Sequence, residues 1–167
     1  MLNNDILLRV RYALDIKDTD LVKIFELGCV EVTNQEVVKM LTKTEESYHD
    51  YENEYEMKLN NFMFESFLNG LIIFKRGRQD TKSGQPATPP MSIKNNMNVN
   101  NVMIKKLKIA LALTSEDIID ILQRTGVVIT KGELSAILRK EGHKNYKECG
   151  DKYARNFLKG LSIKYRG

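Results

Sequence analysis

Only a few side chains in this sequence combine a reactive type with a spacing that could serve catalysis. Two histidines, His49 and His143, and two cysteines, Cys29 and Cys149, occur among the 167 residues. A thiol activated by an imidazole is the arrangement of a cysteine nucleophile, so Cys149 with His143 is the pair to consider. A single thiol near a lysine-rich stretch is weak support for that chemistry, and we expect no catalytic role for it.

The motifs that normally hold cofactors and metals are absent from the sequence. It contains no phosphate-binding glycine loop, no dinucleotide fingerprint, no Cys-x-x-Cys pair and no His-Glu-x-x-His. We therefore expect a protein that is not an enzyme, with no cofactor and no metal site.

An acidic segment, Glu45–Glu56, carries six carboxylates and no lysine or arginine. Oxygen ligands of this kind can capture divalent cations, but their spacing matches no calcium loop. The segment is more typical of a solvated loop that its own charge extends. Tyr48, Tyr51 and Tyr55 recur at helix-like intervals, which leaves a helix ordered by a partner as the alternative.

Charge divides the chain into an acidic part and a basic part. Residues 1–78 carry ten Lys or Arg and fourteen Asp or Glu, a net charge of −4, whereas residues 97–167 carry fourteen and seven, a net charge of +7. Clustered cations can neutralise phosphates with release of counterions. The candidates for contact with nucleic acid are Lys105, Lys106, Lys108, Lys131, Arg139, Lys140 and Lys144.

Two other interpretations of the basic residues remain open. They are compatible with an ordinary solvated surface. They are also compatible with docking of the basic part on the acidic part of the same or another molecule, which predicts a protein partner or a homodimer.

A tandem duplication organises the elements that position these residues. Residues 3–43 align without gaps on residues 100–140, with eleven identities in 41 positions, and residues 67–77 align on 157–167 with seven in eleven. All three prolines lie between the copies. Proline removes a backbone donor and restricts the preceding residue, so this stretch is typical of a linker. We predict copies at residues 1–77 and 97–167, joined by a linker at 78–96, that either pack together or face different partners.

Each copy reads as four helices, and the fold class is therefore all-α, with two homologous units packed as a helical bundle. Apolar spacing predicts the first helix near residues 4–15, with Asn3 and Asn100 as N-caps in the two copies. The second helix begins at Asp18 or Ser115, and Gly28 and Gly126 near its end are expected to be left-handed.

The third helix is marked by capping boxes, Thr33–Glu36 and Thr130–Glu133. The fourth helix covers about residues 62–76 and 152–166. Gly70 and Gly160 at its middle, where glycine is unfavourable, suggest the close approach of another backbone.

The second and third helices together also resemble a helix-turn-helix element. If the third helix entered a major groove, the residues facing the bases would be Asn34, Gln35 and Lys39, or Lys131, Ser135 and Arg139. The joint between the helices is longer than the usual turn, and an ordinary bundle has the same periodicity.

Composition also bears on location. No apolar run approaches the roughly 20 residues that span a bilayer, so no membrane association is expected. The first residues lack the pattern of a secretory signal, and the two cysteines have no spacing that suggests a disulfide. We expect a cytoplasmic protein with reduced thiols.

Three motifs resemble one known family. They are Asn3-Asn4-Asp5-Ile6-Leu7, the block Phe67–Ile72 followed by Arg76-Gly77, and the stretch His143–Asp151. Together they resemble the YehS-like bacterial proteins of unknown function, a tandem-repeat family (domain of unknown function 1456), over essentially the whole chain. The resemblance implies a bacterial cytosolic protein and supplies no reaction, ligand or catalytic residue. The acidic segment is longer than the family's usual loop.

Overall fold

The computed structural model of the protein describes residues 1–44, 54–77, 79–80, 86–87 and 89–167. The first copy forms the helices α1 Asn3–Leu14, α2 Asp18–Leu27, α3 Asn34–Leu41 and α4 Asn61–Arg76. The second copy forms α5 Val99–Ala110, α6 Ser115–Gln123, α7 Lys131–Leu138 and α8 Asp151–Arg166. The predicted all-α fold with four helices in each copy is confirmed.

Both predicted capping boxes are present at the starts of α3 and α7. The Thr33 hydroxyl accepts from the amide of Glu36, whose carboxylate accepts from the amide of Thr33, and Thr130 with Glu133 repeats the arrangement. The hydrogen bonds at its cap lower the pKa of the Glu133 carboxyl. These glutamates satisfy helix-end donors, which is the structural role that the sequence predicted for them.

The prediction that Asn3 and Asn100 are N-caps is wrong, because each lies inside its helix. Asn3 donates from Nδ2 to the carbonyl of Leu59, and Asn100 donates from Nδ2 to the carbonyl of Cys149. Both asparagines therefore fasten the first helix of a copy to the segment just before its fourth helix.

The neighbouring asparagines form a more deeply buried clamp in each copy. Asn4 donates to the carbonyls of Met40 and Met57 and accepts from the amide of Leu59. Asn101 makes the same three bonds in the second copy, to the carbonyls of Ile137 and Lys147 and from the amide of Cys149. A buried amide with its donors and acceptor satisfied holds three chain segments in one arrangement, which explains why both copies retain asparagine here.

The two mid-helix glycines lie at close backbone approaches, as predicted. A Cβ atom added to Gly70 of α4 would stand 1.8 Å from the carbonyl oxygen of Ile24 in α2, and one added to Gly160 of α8 would stand 2.4 Å from that of Ile121 in α6. Gly28 differs from the prediction: its φ is −84°, and Cys29 after it adopts the left-handed conformation. Gly28 is required for space, because its own added Cβ would stand 1.8 Å from the carbonyl oxygen of Ser66.

The copies pack together in a reciprocal manner. Helix α1 of the first copy packs on α8 of the second, and α4 of the first packs on α5 of the second. Because α1 corresponds to α5 and α4 to α8, each contact is the counterpart of the other, as in a two-fold related pair. One continuous cluster of buried apolar residues runs through both copies, with the rings of Phe25 and Phe67 5.7 Å apart between their centres.

The segment between the copies has more structure than the predicted linker. Strands β1 Gln79–Asp80 and β2 Pro86–Ala87 form an antiparallel pair, with Gln79 opposite Ala87. Residues 89–93 then lie across α4 and α5, held by side chains of both helices. Periodicity could not show this, because these contacts come from helices on either side of the segment in sequence. No helix in the part of the chain that the structure describes is both long and apolar enough to cross a bilayer.

Candidate functional site

Three of the seven predicted cationic residues are exposed on the rim of one cavity, and a fourth, Lys106, is buried in its lining. Lys105 lies on α5, Arg139 and Lys140 follow α7, and Lys94 between β2 and α5 is a fourth exposed cation on the same rim. All four are exposed, and none forms an ion pair with another described residue. We call this site the basic cavity.

The interior of the basic cavity is mainly apolar. Its volume is about 370 Å³, and its walls include Ile72 of α4, Ile109 of α5 and Ile137 of α7. Tyr146 contributes an aromatic ring to the lining, and burial, together with nearby carboxylates, raises the pKa of its hydroxyl. An apolar floor under a cationic rim suits an anionic ligand that also has a flat apolar part.

One carboxylate, Glu141, lines the basic cavity beside these cations. Its Oε2 atom is buried and has no hydrogen-bond partner among the described residues. The rim thus holds four positive charges and one negative charge, and it remains a site for anions.

Lys106 contradicts the sequence-based prediction that it contacts nucleic acid. Its side chain is only 6% exposed, and its Nζ atom lies 2.8 Å from Glu65 Oε2 on α4 and 2.6 Å from the carbonyl oxygen of Pro90. Burial lowers the pKa of Lys106, and the carboxylate of Glu65 opposes that shift. The prediction was wrong because the face of α5 that carries Lys106 is covered by α4 and by residues 89–93.

The other three predicted residues are not on the basic cavity. Lys108 is half-buried on α5, and Lys144 is exposed in the loop after α7. Lys131 lies at the opposite end of α7, where its Nζ atom is 2.7 Å from Glu116 Oε1. The hydrogen bond between them raises the pKa of Lys131 and lowers that of Glu116.

The residues of the helix-turn-helix interpretation are accessible. The six side chains that this interpretation places toward the bases are all exposed: Asn34, Gln35, Lys39, Lys131, Ser135 and Arg139. The first turn of α6 carries Glu116 and Asp117, and Glu116 contacts the start of α7. Negative charge beside the start of a recognition helix opposes a phosphate backbone at that position, so base reading by α7 stays a prediction.

A second basic groove, between α1 and α8, was not singled out from the sequence. Its lining includes Arg9 and Arg11 of α1 and Arg155 and Lys159 of α8, and its volume is about 700 Å³. Each of these helices carries an ordinary scatter of charges, and only their packing brings the cations together. The signal that could have found it is the duplication, because this α1/α8 groove is the counterpart of the contact between α4 and α5.

The thiol considered as a nucleophile is buried. Cys149 is 2% exposed, and burial raises the pKa of its thiol to about 12, so it stays protonated at neutral pH. Its amide donates to Asn101, which gives the residue a structural role. Within the described ranges, no group of three or more potential metal ligands comes together.

Most of the acidic segment Glu45–Glu56 lies outside the described residues. Of its last three residues, Tyr55 donates from its hydroxyl to Asp5 Oδ1 at 2.5 Å, and Glu56 donates its amide to the carbonyl of Thr42. Burial and the Asp5 carboxylate raise the pKa of the Tyr55 hydroxyl. This end of the segment is tied to the first copy, and the predicted loop and partner-ordered helix both remain predictions.

Comparisons with known proteins agree with the duplication. A family model described as "Protein of unknown function (DUF1456)" matches residues 3–77 and 100–167. The chain is 39% identical over 164 residues to the uncharacterized protein YehS of Escherichia coli (strain K12), a match that covers 98% of this chain and 96% of that protein. No solved structure matches the chain significantly. The resemblance drawn from the sequence motifs is confirmed.

Proposed function

The chain belongs to the DUF1456 family of proteins of unknown function, and from its geometry we propose that it is a non-enzymatic module that binds single-stranded nucleic acid at the basic cavity. The observation that carries the proposal is the convergence on one cavity with an apolar floor of four exposed cations that form no ion pair within the described part of the chain, Lys94, Lys105, Arg139 and Lys140. Phosphates would contact the rim, and a base would enter the space against Tyr146.

Single strands suit this site better than a duplex. The cavity is concave and its floor is apolar, which fits an unstacked base and offers nothing to a paired one. The start of α7, where a helix-turn-helix protein would contact base edges, instead carries the Lys131–Glu116 ion pair.

The absence of catalysis is part of the same proposal. Its support is the burial of Cys149, because a thiol with a raised pKa is a poor nucleophile. The two copies share the asparagine clamps and the capping boxes. The side chains of both features form hydrogen bonds that hold the fold.

Fluorescence anisotropy with labelled oligothymidylate, measured across salt concentrations, tests nucleic-acid binding. Each phosphate contact with a single strand contributes about −0.7 to the slope of log K against log salt, so four cations predict a slope of about −3. The double variant R139A/K140A should bind more weakly and should have a slope shallower by about 1.4.

The matched control is Lys131→Ala, which removes an exposed cation from the far end of the same helix. The proposal predicts little change with this variant, whereas base reading by α7 predicts a large loss in binding to duplex DNA. No binding of oligothymidylate at low salt, or equal losses in K131A and R139A/K140A, would contradict the proposal.

A protein-interaction module is the second candidate function, and one observation favours it. Residues 89–93 already lie across two helices of this fold, bound mainly through their backbone groups. A surface that holds an extended segment of its own chain in this way has the chemistry needed to hold a segment of another protein.

A further inference from the structure

The contact between α4, α5 and residues 89–93 shows how this fold holds an extended segment. Glu65 of α4 accepts from the amides of Ser92 and Ile93, at 2.5 and 2.7 Å. Asn69 of α4 donates to the carbonyl of Pro89 at 3.0 Å, and Lys106 of α5 donates to the carbonyl of Pro90 at 2.6 Å. Three side chains thus form hydrogen bonds with backbone donors and acceptors of residues 89–93. We call this site the α4/α5 groove.

The duplication places three other residues at the same positions of the α1/α8 groove. Residues of α8 follow those of α4 by 90 positions, so Arg155 replaces Glu65 and Lys159 replaces Asn69. Residues of α1 precede those of α5 by 97 positions, so Arg9 replaces Lys106. The α4/α5 groove thus has a carboxylate, an amide and a cation at these three positions, whereas the α1/α8 groove has a cation at each of them.

The cations of the α1/α8 groove are available to a ligand. Arg9 and Lys159 are exposed and take part in no ion pair with the residues that the structure describes. Among the residues with described positions, Arg155 pairs with Asp151 alone, at 4.0 Å, whereas Arg11 forms an ion pair with Asp18 at 2.8 Å. The residues that line the groove all come from α1 and α8, and its volume is about 700 Å³ against about 370 Å³ for the basic cavity beside the α4/α5 groove.

The replaced side chains determine what the α1/α8 groove can hold. A carboxylate at the position of Arg155 would accept from backbone amides, whereas a guanidinium only donates. The ligand must therefore supply acceptors where residues 92 and 93 supply donors. Carboxylates are the peptide groups that satisfy guanidinium and ammonium donors best.

We propose that the α1/α8 groove binds an extended acidic segment of a partner protein, in the position that residues 89–93 occupy in the α4/α5 groove. The inference deepens the second candidate function and rests on it. Arg155, Lys159 and Arg9 bind carboxylates and carbonyls of that segment. Leu8, which is half-buried, supplies the apolar contact above the buried Leu158, and Tyr12, whose ring lies 4.4 Å from the guanidinium carbon of Arg166, closes one end.

An acidic peptide fits this groove better than nucleic acid does. Asp18 and Asp151 stand beside its cations, and Asp15 holds Arg166 at 3.1 Å next to Tyr12. A peptide can place neutral residues opposite these carboxylates, whereas a phosphate backbone carries a negative charge at every nucleotide. The proposed occupant also has a counterpart in the fold itself, since the α4/α5 groove holds a peptide segment.

Binding of acetylated hexaglutamate to the full chain, with acetylated hexaglutamine as the neutral probe, tests this proposal. Isothermal titration is expected to detect hexaglutamate and not hexaglutamine, with weaker binding at higher salt. Arg155→Glu should reduce the affinity at least tenfold, and Lys159→Gln should reduce it less. Both positions are exposed, and circular dichroism checks that the variants fold.

The double variant K105A/R139A is the matched control, because it removes two cations from the basic cavity and none from the α1/α8 groove. Its affinity for hexaglutamate should be that of the wild type. Equal binding of both peptides would retain the protein-interaction function and overturn the acidic partner, and binding of neither would overturn both. Hexaglutamate binding that R155E leaves unchanged, or that oligothymidylate competes away, would also overturn the proposal.

Discussion

The α4/α5 groove and the α1/α8 groove occupy equivalent positions in the duplicated fold, but the first is filled by residues 89–93 and the second is lined by exposed cations. In the first, Glu65, Asn69 and Lys106 bind one another and residues 89–93, and the contact is buried. In the second, Arg155 and Arg9 repeat two of those positions with exposed cations. Exchange of a carboxylate for a guanidinium at one position changes which backbone groups a groove can bind, while the helices that build it stay the same.

The positions that are identical in the two copies are those that hold the fold together. Asn4 and Asn101 make the same three hydrogen bonds, and Gly70 and Gly160 permit the same close approach of helices. These residues hold the four-helix unit together, so we expect their replacement to destabilise either copy. Groove residues affect only what lies against the surface, and they were free to diverge.

Removal of the Glu65 carboxylate should give the largest difference between the grooves. Glu65→Ala leaves Lys106 buried without its partner and frees the amides of residues 92 and 93, so we expect a loss of about 3–5 kcal/mol in the free energy of unfolding. Arg155→Ala at the corresponding position should change it by less than about 0.5 kcal/mol, because that side chain is exposed. Urea denaturation of both variants measures the difference, and equal losses would show that the two grooves do not differ in burial.

The sequence predicted the features that depend on neighbouring residues, and it missed those that depend on contacts between residues far apart in the chain. Helix starts at Thr33 and Thr130 were predictable, because a capping box is complete within four residues. The burial of Lys106 was not, since its cause is Glu65, which is distant in sequence and on another helix. Cys29, which is left-handed, aligns with the left-handed Gly126. The duplication therefore indicated a left-handed residue at position 29, although cysteine is not a residue type that suggests one.

The candidate sites were predictable to a smaller extent. The excess of positive charge in the second copy drew attention to Lys105, Arg139 and Lys140, which lie on one cavity, and their contact with nucleic acid stays a prediction. Charge counts could not show that Lys131 lies away from this cavity, because that depends on where the two ends of α7 lie in the fold. The α1/α8 groove needs the packing of the first helix on the last, which no local pattern contains.

A methyl group at either close-approach glycine should give the next largest effect. In Gly70→Ala the added Cβ meets the Ile24 carbonyl, which as helix backbone cannot move aside cheaply, and we expect a loss of about 2–3 kcal/mol. Gly160→Ala should lose somewhat less, because its distance to the Ile121 oxygen is 2.4 Å rather than 1.8 Å. Thermal and urea unfolding measure both.

Gly132→Ala in the first turn of α7 is the control for these two variants, since no atom stands closer than 4.0 Å to its added Cβ. It should be neutral or stabilise by a few tenths of a kcal/mol up to about 1 kcal/mol. A Gly70→Ala variant as stable as the wild type would remove the explanation for the retained glycines.

The smallest expected effect concerns acid stability, where the copies differ at one aligned position. Asp151 corresponds to Asn61, and hydrogen bonds from Asn100 and the N-terminal ammonium lower the pKa of its carboxyl. A lowered pKa in the folded state adds stability above the ordinary value near 3.8, and this stability is lost as the pH falls through the folded value. Asp151→Asn should therefore be slightly less stable at pH 7, by under about 1 kcal/mol, and should lose less on acidification.

Urea midpoints for wild type and D151N between pH 7 and pH 2.5 measure this difference. The gap between the two proteins should shrink as the pH falls below about 4. A gap that stays constant over that range would mean that Asp151 has no linked proton.

The most direct test converts the α1/α8 groove into a copy of the α4/α5 groove and offers it the chain's own segment. The triple variant R9K/R155E/K159N gives the α1/α8 groove the three residues of the α4/α5 groove, and a peptide of residues 86–94 is titrated into it at concentrations up to a few mM, the effective concentration of a short tether. We expect NMR shift changes at Leu8 and Leu158 in the triple variant and none in the wild type. Equal changes in both proteins, or none in the variant, would contradict the claim that these three side chains select what each groove binds.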